Sequence, residues 1–244
     1  ITGGSVKATG VMGIGGWGDK GDQTVEIKGG EVEANSIGGG STAVAISGGT
    51  VTTSENISSS GLMTISSGTV KVGKNINSGT GTVTITGGTV TTGENIGGTG
   101  SVTVSGGTVD THNITANTLA VTNGKVTAET GIKGGTLNVS GGTLTASGEN
   151  EKAAINSDVT ISGGSVTANG GSTAAGIGGN NGEAGKNVTI SGGMVIATGG
   201  TGNGLSGAGI GGGNKEAGGK VTISGGKVVA KGGDYAAGIG GGRD

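Results

Sequence analysis

The sequence predicts an all-β fold, a right-handed parallel β-helix: a three-sided β-solenoid of about 11 rungs of about 19 residues with Gly-rich corner insertions. Three observations predict it. A motif of the form V-T-I-S-G-G-T-V-T-A recurs along the chain, Val, Ile and Thr alternate within it as on a pleated strand, and Gly pairs punctuate it at fixed places.

Rungs open at Val25, Val44, Met63, Val83, Val102, Leu119, Leu137, Val159, Val188 and Val221, with a partial rung at Ile1. Successive openings are 17 to 20 residues apart as far as Leu137, then 22, 29 and 33. The longer rungs differ by Gly-rich insertions at fixed positions, as expected if added residues are confined to turns between strands.

Each rung has three sides. On the first, Val44-Ala45-Ile46 alternates in-out-in, and Ser47-Gly48-Gly49 makes the corner, where a Gly can take a positive φ. On the second, Thr50-Val51-Thr52-Thr53 alternates out-in-out-in, and after a second turn Ile57 points inward on the third. The inward positions form columns: Val25, Val44, Met63, Val83, Val102; Ile27, Ile46, Ile65, Ile85, Val104; Val32, Val51, Val70, Val90, Val109. A further column, Ile37, Ile57, Ile76, Ile96, Ile114, Ile132, Ile155, Ile177, Ile210 and Ile239, keeps its place even across the insertions. One rung buries too little apolar surface to order itself, so stability is shared between stacked rungs.

Composition excludes an ordinary globular core, collagen and disorder. Of 244 residues 65 are Gly, with no Pro, Cys or Phe and one each of Trp, Tyr and His, so a globular core of large side chains cannot be built. Collagen would need Gly at every third position with abundant Pro, and disorder would need few β-branched residues. A net charge of −2 offers no basic surface for nucleic acid, and no apolar run suits membrane insertion. Residues 1–244 are expected to form a single β-solenoid domain or a segment of a longer repeat array, since Ile1 opens and Arg243-Asp244 close in mid-repeat.

Several ladders follow from the stacking. Asn56, Asn75, Asn95 and Asn113 each precede an inward Ile and are expected to form a structural ladder of side-chain hydrogen bonds. Glu55, Lys74, Glu94 and His112 stand directly before them, in an order that suits pairing between rungs. Outward Thr, among them Thr64, Thr84, Thr103, Thr50, Thr69, Thr89 and Thr108, make flat arrays similar to those of ice-binding proteins. Lys7, Glu31, Glu33, Lys71, Asp110 and Lys125 interrupt them, as do Met194, Ile196, Lys227 and Val229, whereas plain strand propensity accounts for exposed Thr.

Trp17 and Tyr235, the sole aromatics, fall in Gly-rich insertions and are the candidate ligand contacts, because aromatic side chains on loops stack on sugars or partner proteins. Catalytic, metal and cofactor residues are not expected. The acids are dispersed, the one His has no partner set for a metal or a base, and Arg243 is the one Arg. The loops Gly182-Glu183-Ala184-Gly185-Lys186 and Ala217-Gly218-Gly219-Lys220 lack the Ser/Thr and helix of a phosphate loop, and Asp is too scarce for a calcium nonapeptide repeat. The sequons at Asn56, Asn113, Asn138 and Asn187 are what chance supplies in a chain so rich in Asn, Ser and Thr.

The string V-T-I-S-G-G-x-V-x-A followed by A-G-I-G-G-G, plain in residues 159–179, 188–213 and 221–242, resembles the repeat of large adhesin-like surface proteins of gut-type Gram-positive bacteria. The resemblance covers essentially the whole chain. It implies an extracellular or cell-surface location and glycans of host or bacterium as partners, with no binding residue carried over. The expected function is an extracellular structural or adhesive β-solenoid, a stalk or a filament-forming segment that stacks end to end on copies of itself. A carbohydrate-binding module is the alternative, and an ice-binding Thr array a further one.

Overall fold

The computed structural model describes residues 1–11, 13–16 and 23–243, which form strands, turns and bends with no helix. Apart from a short antiparallel hairpin, Thr201–Gly202 with Leu205–Ser206, the strand pairs are parallel and join residues one coil apart, which makes the fold a parallel β-solenoid. The chain divides into two compact units, Ile1–Ala120 and Val121–Asp244.

In the first unit the side-chain period of two sets the register. Val44 pairs with Met63 and Met63 with Val83; Val51 pairs with Val70 and Val70 with Val90; Ile57 pairs with Ile76 and Ile76 with Ile96. A slip by one residue would turn each column from the interior to solvent, so burial fixes the pairing. Ile46, Met63, Ile65, Val70, Ile76, Ile85, Val90 and Ile96 have no exposed surface or almost none. The fourth place of the second side, which points inward, is buried and filled by Ala34 and Val72 in two coils and by Thr53, Thr92 and Thr111 in the others. Their hydroxyls bond to the carbonyls of Glu55, Glu94 and Asn113 at 3.1, 3.2 and 3.1 Å, and Thr92 Oγ1 meets Thr111 Oγ1 at 2.7 Å. Buried hydroxyls thus satisfy main-chain groups at the corner, where the strand ladder is interrupted.

The second unit repeats the scheme with other side chains. Leu137 pairs with Val159, Val159 with Val188 and Val188 with Val221; Leu144 pairs with Val166 and Val166 with Val195. The fourth inward place is now Ala128, Ala146, Ala168 and Ala197, and Gly-rich insertions follow it. On the third side Ile155 pairs with Ile177, and Ile177 with Ile210.

Among the described residues, coils with strands on all three sides number five in the first unit, opening on Thr24–Ile27, Ala43–Thr53, Leu62–Val72, Thr82–Ile85 and Ser101–Val104. In the second they number four, opening on Ile132–Val139, Ile155–Ile161, Val188–Ile190 and Val221–Ile223. With the coil that opens at Leu119 and runs through Lys125–Ala128 to Ile132–Val139 these make ten, somewhat fewer than the about 11 expected from the repeats. Among the described residues the opening stretch gives strand Ser5–Ala8 and one bridge from Ile14 to Ile37.

The corners show why Gly recurs there. Gly107 has φ 76°, and a Cβ placed on it would lie 2.5 Å from Gly88 O and 2.7 Å from Gly87 C. Both the left-handed backbone and the close approach of the coil beneath exclude a side chain.

Candidate functional site

Polar side chains gather in three places, the first being the third side of the first unit. Asn56, Asn75, Asn95 and Asn113 each stand one residue before an inward Ile, which turns their side chains along the surface rather than into the core. Asn56 Oδ1 accepts from the Asn75 main-chain N–H at 3.0 Å and from Asn75 Nδ2 at 3.2 Å, and Asn75 Oδ1 accepts from the Asn95 N–H at 3.1 Å. Asn75 Nδ2 also donates to Glu94 Oε2 at 2.7 Å, and Asn113 Oδ1 accepts from Thr115 Oγ1 at 3.3 Å. Lys74 Nζ lies 2.7 Å from Glu55 Oε2. The bond to the Glu55 carboxylate, and then its charge, raise the Lys74 pKa above the ordinary lysine value. This surface binds its own neighbours from coil to coil.

The second place is an open cleft of about 430 Å³ in the same unit, lined by Lys7, Thr9, Val11, Glu33, Asn35 and Ser54 among others. Lys7 Nζ and Glu33 Oε2 pair across one wall at 2.6 Å, and Asn35 Nδ2 donates to Val11 O at 2.9 Å. Ser54 Oγ donates to Asn35 Oδ1 at 2.6 Å. Periodicity in the sequence does not reveal the cleft, because it is made by the insertion after Ala8, which has no counterpart in the following coils. Two features of the sequence do point to it: the length of that insertion, and the Lys7/Glu33 pair in the interrupted Thr array.

The third place is in the second unit. Tyr235 is 88% exposed and has φ 63°, a left-handed backbone uncommon for an aromatic residue. The Arg243 guanidinium lies 5.0 Å from its ring centroid, a cation–π distance, and Arg243 Nη1 donates to Gly204 O. The Asp234 main-chain N–H donates to Thr201 Oγ1 at 3.0 Å, which ties the Tyr235 loop to the neighbouring hairpin. The result is a ring held clear of the sheet with a cation on one face. Trp17 lies outside the described residues.

Nearby, Glu183 Oε2 accepts from Asn156 Nδ2 at 3.0 Å and from Asn180 Nδ2 at 3.1 Å. Partial burial pushes its carboxyl pKa up, but these bonds and the charge of Lys186 outweigh it, so the pKa falls below the ordinary Glu value. A lowered folded-state pKa means stability that is present above the unfolded pKa and is lost as pH falls through the folded one. Hydrogen-exchange protection factors of residues 180–186, taken relative to the intrinsic exchange rate at each pH, should therefore fall on acidification below the ordinary Glu range, and Glu183→Gln should remove that acid-dependent part. An unchanged pH profile in the variant would count against the assignment.

Among the described residues no group of three or more His, Cys, Asp or Glu is arranged to hold a metal ion. No helix there is long and apolar enough to cross a membrane.

Residues 1–19, 159–182, 188–214 and 221–243 match a family model described as a beta helix repeat. The segments 159–182, 188–214 and 221–243 carry the full V-T-I-S-G-G and A-G-I-G-G strings, and they coincide with parallel coils of the second unit. No curated protein and no solved structure gives a significant match.

Proposed function

We propose that this repeat protein is an extracellular, non-catalytic β-solenoid with a structural and adhesive role, a stalk on a bacterial surface protein. The observation that carries the proposal is the coil-to-coil ladder: the side-chain amides of Asn56 and Asn75 accept from the main chain of the following coil, and the hydroxyls of Thr92 and Thr111 bond to each other across coils. Groups committed to their own neighbours hold register along an axis, which is what a spacer under load needs. Antibody labelling of intact cells that make the protein tests the location. Label on unpermeabilised cells is the expected result, and label gained only on permeabilisation would refute it.

A carbohydrate-binding role is the second reading, favoured by the exposed Tyr235 ring backed by Arg243. A sugar stacks on such a face through its C–H groups, and hydrogen-bonding groups at the rim orient it. Tyr235→Ala should weaken retention on immobilised glycans by about tenfold or more, the loss of one aromatic anchor. Equal retention by both proteins would remove Tyr235 from the site.

A further inference from the structure

The Gly-rich insertions of the second unit enclose three side-chain oxygens that have no hydrogen-bond partner among the described residues: Thr173 Oγ1, Ser206 Oγ and Asn214 Oδ1. Their residues are 5%, 0% and 4% exposed. Main-chain contacts bring the three residues together. Asn214 donates its N–H to Thr173 O at 2.9 Å. Gly200 donates to Ala174 O at 3.0 Å and accepts from Gly207 N at 3.1 Å, and a Cβ on Gly207 would lie 2.1 Å from the Ala174 carbonyl. Thr173 and Ser206 each directly precede one of the two residues in that close contact. They are therefore neighbours on successive coils, with Asn214 bonded to the same Thr173.

We infer that these three oxygens bind one internal water molecule. A buried polar atom without a partner is costly, and three in one place call for a common ligand. Two of them are hydroxyls with a proton to donate and the third is an amide carbonyl that only accepts. Water matches this set: it accepts from Thr173 and Ser206 and donates to Asn214, the roughly three bonds typical of an internal water. A monovalent cation fits less well, because it would leave both hydroxyl protons unmatched and bury a positive charge among three neutral groups. The neighbouring glycines have no room for a side chain that could supply the missing partner. A Cβ on Gly200 would lie 1.7 Å from Gly171 O, and one on Gly213 would lie 1.8 Å from Asn180 O. The water thus joins residues 173, 206 and 214 and holds insertions of successive coils as one layer.

A crystal structure of the whole chain at about 1.2 Å, from crystals grown with rubidium as the monovalent cation, tests this. The expected result is a single oxygen-sized peak without anomalous signal, within about 2.7–3.2 Å of all three atoms. Thr173→Val with Ser206→Ala should remove the peak and lower the melting temperature. Rubidium anomalous density at the site would overturn the inference. So would the three side chains bonding directly to one another, or a double variant that melts as the parent does.

Discussion

Replacing Gly107 with Val should destabilise the first unit by about 4 kcal/mol or more, the range reserved for changes that force the backbone to move. Two effects combine. At φ 76° an L-residue costs about 1–2 kcal/mol, more when it is β-branched. The added Cβ would then lie 2.5 Å from Gly88 O, and the atom it meets belongs to the stacked backbone of the preceding coil, which has no rotamer to change. Protection of amides in strand Thr108–Thr111 against hydrogen exchange is the measurement, since it reports local opening. Gly10→Val is the matched control, because Gly10 has no neighbour within 4 Å and no left-handed backbone. Its effect should stay within about 0.5 kcal/mol. Similar losses in the two variants would show that Gly content alone, and not the corner stack, sets stability.

Ile96→Ala should cost about 3–4 kcal/mol. Ile96 is fully buried between Ile76 below and Ile114 above, each fully buried as well. Strand pairing holds both neighbours at fixed register, so the site cannot collapse into the space and the cavity remains. Ile239 stands in the same column but is 45% exposed, so Ile239→Ala should cost less than half as much. Chemical unfolding followed for both variants measures the difference. Equal losses would mean that the column does not act through packing.

The inward columns are legible in the sequence because strand geometry gives them a strict period of two within a side and one coil between sides. The ten Ile of the third side align on that period, and the structure pairs Ile57, Ile76 and Ile96 in that order. What is not legible lies in segments without a period. The cleft lined by Lys7, Glu33 and Asn35 is made by one unrepeated insertion, so the column pattern does not mark it and only the length of that insertion and the Lys7/Glu33 break in the Thr array point to it. The cluster of Thr173, Ser206 and Asn214 depends on close backbone contact between glycines, and a glycine in sequence does not reveal what it touches. The meeting of Tyr235 with Arg243 likewise depends on the path of residues 236–242 past the third side.

Parallel, in-register pairing has one more consequence, on the scale of the gene. Because Val44, Met63 and Val83 occupy equivalent places on successive coils, excision of the whole period from Val44 to Ile57 and its turns would leave Val25 facing Met63 with each ladder still joined. Recombination between repeats can thus shorten or lengthen such a chain by whole coils while the joint itself stays silent. Such a change would alter the number of coils while leaving every core contact within the remaining ones in place.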